Sequence, residues 1–274
     1  MKVLFLGEGK LAQICLKILV SDDFRNDFSV ASIVSSESFQ NGFRTEYDEG
    51  RDVCFISNEE RNEDQIIEAV NSLGIETLIS VQHKWILSED VISAVSGKAF
   101  NLHNAKLPDY KGHNTVSFAI LNDEKEYAVT IHWIAPEVDS GDLVLESSVE
   151  VTPSDTARSL YQKTLPEAEN LMKNFLRLLQ KNKVPRIPLS GEGTYYGKNA
   201  WAAKKVVALN DEPDLIDRKT RASFFPPYEP ARLDVSGKKI YCLPDANGLK
   251  LWANEKPLNK SDWDESHLVQ LPSK

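Results

Sequence analysis

The fold is decided by residues 2–19, which read KVLFLGEGKLAQICLKIL. The first five residues are a short, mostly apolar run that ends at the turn Gly7-Glu8-Gly9. After the turn, apolar residues recur at the spacing of one buried helix face, at Leu11, Ile14, Cys15, Ile18 and Leu19. A strand, a glycine turn and a helix in this order open a doubly wound α/β sheet.

The alternation of strands and helices continues to about residue 102. Residues 28–34, 53–56, 77–81 and 99–102 are predicted as strands, and 40–50 as a polar loop. Residues 66–73 are predicted as a helix closed by Gly74, and 88–95 as a helix capped by Ser88. The pattern predicts a Rossmann-like α/β fold with a mostly parallel sheet and helices on both faces.

The remainder of the chain changes character. Residues 127–134 and 143–151 alternate like paired strands, and 155–181 are helical, with Pro166 expected to break the helix in two. Prolines and glycines between 185 and 193 indicate a linker. A helix at 214–223 and hairpin turns at Ser236-Gly237 and Asn247-Gly248 follow. We therefore predict a catalytic domain at 1–182 and a small α+β or β-rich domain at 183–274.

Composition narrows the classes of function. The 274 residues carry a net charge of -9, which disfavours a nucleic-acid partner. No apolar run reaches the roughly 18 residues of a membrane helix, and the apolar N-terminal run is too short for a signal peptide. Cys15, Cys54 and Cys242 are too scattered for a disulfide framework or a zinc site. We expect a cytoplasmic protein with neither a metal site nor a membrane partner.

Three polar side chains follow predicted strands. Asn101 and His103 stand two apart at the end of the strand at 99–102, so their side chains point to the same side. Asp139 lies in the loop after the strand at 127–134. Ligands of open α/β sheets bind beyond the carboxyl ends of the strands, which makes these positions a candidate site.

The motifs around these residues resemble the folate-dependent formyltransferase family. They are Asn101-Leu102-His103, then Leu107-Pro108 with Tyr110-Lys111-Gly112, and later Val138-Asp139-Ser140-Gly141-Asp142. The family carries N-x-H, L-P-x-x-x-G and D-x-G-D or D-x-G-P in this order, and includes glycinamide ribonucleotide, methionyl-tRNA and sugar N-formyltransferases. The resemblance spans roughly residues 1–150.

The resemblance implies that N10-formyltetrahydrofolate is the co-substrate and that an amine attacks its formyl carbon. Asn101 would then donate to the resulting oxyanion. His103 would stabilise that charge or carry a proton to the folate nitrogen, and Asp139 would orient His103 and take the proton of the amine. No metal is needed for this chemistry.

Further residues are assigned to the folate by the same resemblance. The segment Lys84-Trp85-Ile86-Leu87 is similar to the folate-pocket loop of the family, and Asp142 closes the D-x-G-D motif. Trp85 also fits ordinary core packing, and His83 beside it fits either role. His132 lies on an alternating strand, where a satisfied core histidine and a site residue are equally consistent with the pattern.

The glycine turn argues against a dinucleotide. Gly7-Glu8-Gly9 lacks the third glycine of the dinucleotide fingerprint, and no clear ribose-binding acid follows, so NAD is disfavoured. In the family this turn lies near the acceptor. Backbone amides at the helix start, together with Lys10, are able to hold a phosphate, although a tight turn with a solvated lysine explains the same residues.

Other segments resemble the sugar N-formyltransferase branch, namely residues 110–115, 193–198 and 221–231. The resemblance implies an acceptor such as dTDP-4-amino-4,6-dideoxyglucose, or else a dTDP-3-amino-3,6-dideoxyhexose, for surface polysaccharide (O-antigen, lipopolysaccharide) synthesis. It also implies a homodimer. The predicted acceptor residues are Lys10, Gln82, Tyr110, His113, Asn114, His132, Tyr195, Lys198 and Phe224.

Two other functions compete with a sugar N-formyltransferase. Methionyl-tRNA formyltransferase predicts a basic channel and a long C-terminal barrel, which the net charge of -9 and the short tail disfavour. A catalytically silent nucleotide-sugar-binding module would not need the combination of Asn101, His103 and Asp139. A turnover assay separates these alternatives.

Overall fold

The structure is a computed structural model that describes residues 1–47, 52–235, 237–245 and 248–254. The strands are β1 (Lys2–Gly7), β2 (Ser29–Ser35), β3 (Cys54–Ser57), β4 (Thr77–Val81), β5 (Ala99–His103), β6 (Lys111–Gly112), β7 (Glu126–Trp133), β8 (Leu143–Glu150), β9 (Tyr195–Tyr196), β10 (Ala231–Val235), β11 (Lys238–Asp245) and β12 (Gly248–Asn254). The helices are α1 (Gly9–Leu19), α2 (Glu37–Tyr47), α3 (Glu63–Leu73), α4 (Glu89–Ala94), α5 (Thr115–Leu121), α6 (Ala157–Gln180), α7 (Ala200–Lys204) and α8 (Pro213–Ser223).

A seven-stranded sheet in the order β3-β2-β1-β4-β5-β7-β8 forms the centre of the fold. β1 pairs in parallel with β2 and β4, and β2–β3 and β4–β5 are also parallel. β7 runs antiparallel to β5, with Asn101 opposite His132 and His103 opposite Thr130. This arrangement confirms the predicted Rossmann-like, mostly parallel α/β fold.

Both faces of the sheet are covered, as the apolar run of β1 requires. Val3 and Phe5 belong to the hydrophobic cluster on one face, and Leu4 and Leu6 to the cluster on the other, all four completely buried. The first cluster includes α1 and the C-terminal half of α6, and the second includes α3 and α4. Each such side chain contributes about 1.5–3 kcal/mol on burial.

The chain divides into two compact units, each built from three segments. The first unit comprises residues 1–111, 128–148 and 165–194, and the second comprises 112–127, 149–164 and the described residues from 195 onward. In the second unit, β10, β11 and β12 form an antiparallel sheet against which α8 packs. The predicted boundary at residue 182, between a catalytic domain and a small C-terminal domain, divides the chain differently from these compact units. It stays a prediction.

Two local predictions were wrong. Residues 37–47 form α2 and not a loop, because Phe39 and Phe43 stand one turn apart and are both buried. The buried Gln40 side chain also donates to the Ser35 and Ile56 carbonyls, so this polar residue is part of the buried packing between α2 and the sheet. Residues 48–51 of that predicted loop lie outside the described residues.

The second error concerns Pro166, which lies inside the unbroken helix α6. An internal proline costs roughly 3 kcal/mol through the lost hydrogen bond and its steric clash. On either side of it, however, α6 is anchored by buried residues, among them Leu160 and Phe175, and this packing holds the helix together. Both predicted hairpins are present, while their turn residues Ser236 and Asn247, like His267, lie outside the described residues.

Candidate functional site

The candidate site lies on one face of the β5–β7 pair. Phe100 and Leu102 of β5, with Ile131 of β7, point into the core cluster on one face of the sheet. The alternate positions, Asn101 and His103, therefore project from the other face. His132 stands directly across from Asn101 in the ladder and projects from that same face.

Asp139 reaches this face by a route that sequence reasoning did not foresee. Because β7 runs antiparallel to β5, the chain leaves β7 beside Phe100, at the start of β5. The loop from 134 to 142 then folds back along the strand pair and brings the Asp139 carboxylate to the three side chains. The predicted convergence is therefore real, but it does not arise from carboxyl ends of parallel strands.

The carboxylate of Asp139 lies between two histidines. Its Oδ2 is 3.7 Å from His103 Nδ1, and its Oδ1 is 3.4 Å from His132 Nε2 and 3.5 Å from Asn101 Nδ2. The side chain is only 11% exposed. A shielded carboxylate with imidazole nitrogens at 3.4 and 3.7 Å is suited to exchanging protons with them.

Backbone carbonyls select the tautomer of each histidine. His103 Nε2 lies 2.7 Å from the Tyr110 carbonyl, and His132 Nδ1 lies 2.8 Å from the Trp133 carbonyl. A carbonyl only accepts, so each of these nitrogens carries the hydrogen. In the neutral rings, His103 Nδ1 and His132 Nε2 are the unprotonated nitrogens, and both face Asp139.

The amide of Asn101 is oriented by His132. Its Nδ2 lies 3.1 Å from His132 Nε2, which accepts one N–H. The second N–H points toward Asp139 Oδ1 at 3.5 Å, a long and weak contact that a better acceptor can replace. The buried His132, 2% exposed, thus holds a site residue and is more than core filling.

Backbone strain concentrates at predicted site residues. Among the described residues other than glycine, positive φ angles occur at Gln82, Ser96, Asn114, Asp123, Asp139 and Asn182. Gln82, Asn114 and Asp139 in this set, at φ 56°, 55° and 49°, are predicted site residues. Such conformations cost roughly 1–3 kcal/mol each and cluster at functional sites. A Cβ at Gly141 would collide with the Trp133 carbonyl, so only glycine fits after Asp139-Ser140.

The segment predicted to receive folate presents an apolar surface. Trp85 is 37% and Ile86 57% exposed, whereas Leu87 is buried. Lys84 pairs with the Glu59 carboxylate at 3.6 Å. Burial, helped by the Lys84 charge, lowers the pKa of His83 from 6.5 to about 4, and its buried Nδ1 has no hydrogen-bond partner within the described chain.

Asp142, also assigned to the folate, is paired with a cation that sequence reasoning missed. Arg186 Nη1 lies 3.4 Å from Asp142 Oδ2, and the guanidinium stacks on the Trp133 ring at 3.7 Å. Arg186 comes from the segment predicted as a linker, in which nothing marked it as part of a site.

The predicted acceptor residues of the first unit are in different settings. Lys10 is exposed in the first turn of α1, and Gln82 is exposed directly after β4. Tyr110 is 4% exposed, and its contact with His103 is made by the backbone carbonyl.

The predicted acceptor residues of the second unit are mostly accessible. His113, Asn114, Tyr195 and Lys198 are exposed. Phe224 is partly buried and packs against Tyr241 and Leu243 of the same unit. The roles of all these residues stay predictions.

Sequence reasoning also missed two polar residues at the carboxyl ends of the first strands. Glu8, in the glycine turn, and Asn58, directly after β3, are joined by a hydrogen bond of 2.8 Å. A polar residue directly after β1 and another directly after β3, the strands on either side of β2, was the available signal. Among the described residues, no group of three or more His, Cys, Asp or Glu side chains is placed to hold a metal ion. No helix in that part of the chain is long and apolar enough to cross a membrane.

The sequence of the chain is similar to sequences of known proteins. Residues 1–176, more than half of the chain, match the family model described as formyl transferase. Over 243 residues the chain is 26% identical to GDP-perosamine N-formyltransferase of Brucella melitensis, covering 89% of this chain and 92% of that protein.

Two solved structures share the fold over most of their length. A 4-N formyltransferase from Francisella tularensis superposes with a TM-score of 0.74 at 18% identity, covering 93% of this chain and 98% of that one. An N-formyltransferase from Helicobacter canadensis, in complex with folinic acid and dTDP-3-aminofucose, superposes with a TM-score of 0.67 at 19% identity, covering 89% of each chain. At these identities, the likeness establishes the fold.

Proposed function

The chain belongs to the formyl transferase family, and we propose that it transfers a formyl group from N10-formyltetrahydrofolate to the amine of a nucleotide-linked amino sugar. The observation that carries this proposal is the placement of Asp139 between Asn101 and the two histidines, inside a domain of that family. The bound folate would supply an electrophilic formyl carbon, and the residues of this chain would manage the proton and the charge.

Asp139 and His103 are placed to take the proton that the amine loses. His103 Nδ1 is the unprotonated nitrogen of the neutral ring, because the Tyr110 carbonyl holds the hydrogen on Nε2. A proton accepted by Asp139 therefore has an acceptor 3.7 Å away, and the pair is able to hold it and return it to the folate nitrogen. General acid–base groups of this kind contribute roughly 10²–10⁴-fold to rate.

Asn101 is placed to donate to the formyl oxygen as negative charge develops on it. One of its N–H groups is anchored on His132 Nε2 at 3.1 Å, which prevents the amide from rotating. The other points toward Asp139 at 3.5 Å, a weak contact that leaves this N–H able to donate to a stronger acceptor brought beside it. A preorganised donor of this kind is worth about 3 kcal/mol in the transition state.

The residues assigned to the folate suit a planar heteroaromatic ligand. Trp85 and Ile86 expose apolar surface in a segment that is otherwise held by hydrogen bonds. The buried Nδ1 of His83, which lacks a partner within the described chain, adds a polar atom suited to a hydrogen-bonding ligand. A flat ring with polar edges satisfies both features.

The acceptor that we favour is dTDP-4-amino-4,6-dideoxyglucose, with a dTDP-3-amino-3,6-dideoxyhexose second. We assign the sugar to the loop of His113 and Asn114, and the nucleotide to Lys10, Lys84, Lys198 and an aromatic such as Tyr195. The Brucella relative at 26% identity carries GDP-perosamine in its name, which supports a GDP-linked sugar as a further candidate. Methionyl-tRNA disagrees with the net charge of -9, and a silent binding module would not need the Asp139 geometry.

We further propose a cytoplasmic homodimer that serves surface polysaccharide synthesis. Among the described residues of the second unit, β12 is an edge strand of the antiparallel sheet, and a partner strand would satisfy its outer backbone groups. Sedimentation at working concentration tests the dimer, and a monomer would rule it out.

The deciding experiment is a panel of nucleotide sugars. The purified enzyme is given N10-formyltetrahydrofolate and dTDP-, GDP- or UDP-linked 4-amino and 3-amino dideoxy sugars, with initiator methionyl-tRNA as a parallel arm, and formylated product is identified by mass spectrometry. We expect kcat/KM for one amino sugar to exceed that of its positional isomer by at least about tenfold. Formylation of the tRNA alone would overturn the sugar proposal, and turnover of nothing would favour a binding module.

A further inference from the structure

The carboxylate of Glu8 ties together the carboxyl ends of three neighbouring strands. Glu8 directly follows β1, and its Oε1 accepts hydrogen bonds from the Ser36 backbone N–H and from Asn58 Nδ2, the latter at 2.8 Å. Its Oε2 accepts from Ser36 Oγ at 3.0 Å. Ser36 follows β2 and Asn58 follows β3. Hydrogen bonds to an ionised acceptor are roughly twice as strong as those between neutral groups, so the contacts fix these three loops relative to one another.

Asn58 connects the Glu8 carboxylate to the segment that contains Trp85. It is 1% exposed, its backbone N–H donates to the Ser35 carbonyl, and its own carbonyl accepts from the Trp85 indole N–H at 2.8 Å. Its side-chain Oδ1 is buried and has no hydrogen-bond partner among the described residues. A buried unpaired carbonyl calls for a reason, and Glu8 supplies it, because the opposite amide orientation would place Oδ1 against the carboxylate.

The segment 84–88, which contains the exposed Trp85 ring, rests on the loop after β3 and the start of α3 at three points. Trp85 is bound to the Asn58 carbonyl, Lys84 lies 3.4 Å from the Glu59 carbonyl, and the Ser88 N–H donates to the Glu63 carboxylate at 3.2 Å. The indole N–H is therefore fixed while 37% of the side chain stays exposed. The direction in which the ring faces depends on the position of the Asn58 carbonyl.

We propose that Glu8 is a positioning residue for folate binding, acting through Asn58 to set the Trp85 ring against the formyl-folate. This rests on the proposed function, which assigns the segment from Lys84 to Leu87 to the folate. Three residues far apart in sequence, at positions 8, 58 and 85, form one continuous hydrogen-bonded path. Glu8 itself touches neither substrate and holds no proton in the reaction.

The test uses Glu8→Ala, Glu8→Gln and Trp85→Phe, with Glu37→Ala as the matched control. Glu37 is an exposed carboxylate one residue beyond Ser36 and outside the path. We expect Glu8→Ala to raise the KM for N10-formyltetrahydrofolate about five- to tenfold at nearly unchanged kcat, because a wall displaced by about 1 Å weakens productive binding. Glu8→Gln should restore most of the affinity, because its carbonyl still accepts from Asn58.

The double variant decides whether Glu8 acts through Trp85. Trp85→Phe keeps an aromatic side chain but replaces the indole with a smaller ring that lacks the tethering N–H, so it should raise the same KM. Adding Glu8→Ala to it should then have little further effect, since coupled residues are not additive. Independent, multiplying effects would overturn the proposal, and so would a Glu8→Ala protein with a lower melting temperature but an unchanged folate KM. If Glu8→Ala does not fold, an unchanged KM in Trp85→Phe overturns it equally.

A readout without turnover separates this proposal from the proposed function. Quenching of Trp85 fluorescence by 5-formyltetrahydrofolate, taken as the difference between wild type and Trp85→Phe, reports folate binding directly. A wild-type protein that binds this probe but formylates no sugar would refute the acceptor assignment alone. Equal probe affinity in wild type, Glu8→Ala and Glu8→Gln would refute the positioning role alone.

Discussion

Two carboxylates of the first unit, Asp139 and Glu8, have opposite surroundings. Asp139 lies 3.4 and 3.7 Å from two imidazole nitrogens, neither of which holds a hydrogen in the neutral ring. Glu8 accepts at 2.8 and 3.0 Å from an amide and a hydroxyl, which do not titrate near neutral pH. The first carboxylate has proton-accepting neighbours, whereas the second accepts hydrogen bonds from donors that hold it in place.

The difference shows how a carboxylate suited to proton transfer can be told from one that holds neighbouring loops in position. A carboxylate that accepts several hydrogen bonds holds its donors in place. A carboxylate beside two imidazole nitrogens, as Asp139 is at 3.4 and 3.7 Å, has neighbours to which it can pass a proton. Each prediction below alters one side of this contrast.

The largest effect is expected from His103→Asn and Asp139→Asn. Each removes one half of the pair that accepts the amine proton, so kcat should fall roughly 10²–10⁴-fold. Glu8→Gln should keep kcat within a few-fold, because its amide oxygen can still accept from the Ser36 backbone N–H and from Asn58 Nδ2. Steady-state kinetics with an active sugar nucleotide measure this, and circular dichroism checks folding. Near-normal turnover of folded His103→Asn would show that His103 takes no part in proton transfer, and Asp139 would then not differ from Glu8 in this respect.

The second effect concerns Asn101→Ala, which deletes the donor to the developing oxyanion. The expected loss is about 10²–10³-fold in kcat, with little change in KM, because the contact forms in the transition state. Asn41→Ala, an exposed change on α2, is the control. A raised KM at unchanged kcat would show that Asn101 binds the ground state and does not stabilise the charge.

His132→Phe should have a smaller effect. It fills the buried space but loses the acceptor that orients Asn101, so we expect about a tenfold fall in kcat, equivalent to about 1.4 kcal/mol. In an Asn101→Ala background the same change should cost little, since the residue to be oriented is absent. A loss of melting temperature with unchanged kcat would return His132 to the role of a core residue.

Much of the fold was predictable because periodicity reports burial. β1 and α1 follow directly from residues 2–19, and the Ser88 cap was correct, since its Oγ accepts from the Val91 N–H at 3.4 Å. Failures came where tertiary packing decided the outcome. The buried pair Phe39 and Phe43 makes a helix of a polar stretch, and packing on both sides of Pro166 keeps α6 continuous.

The site was predictable only in its components. The order of the motifs named Asn101, His103 and Asp139, and the structure brings them together, but over an antiparallel strand that pattern reading did not reveal. The tautomers depend on the Tyr110 and Trp133 carbonyls, which are backbone groups without any sequence signal. The contact between Glu8 and Asn58 joins residues 50 positions apart, and no local pattern predicts such a pair.

The smallest expected effect is a pH dependence of the free energy of unfolding. It arises at His83, near the Trp85 segment that Glu8 holds in place. Burial, with the Lys84 charge, lowers the pKa of His83 from 6.5 to about 4 in the folded protein. Between those two values the unfolded chain binds more protons at this residue, so stability rises with pH and is lost as pH falls through the window. The difference between the two pKa values corresponds to at most about 3.4 kcal/mol, which is lost in full only below about pH 4.

His83→Gln should remove this contribution, because the amide does not titrate. Urea unfolding of wild type and variant at pH 7, 5.5 and 4.5 gives the slope of stability against pH, and the difference between the two proteins isolates residue 83 from the other titrating groups. His113→Gln, a change at an exposed histidine, is the control and should leave the slope as in wild type. Identical slopes in wild type and His83→Gln would mean that His83 is solvated in solution.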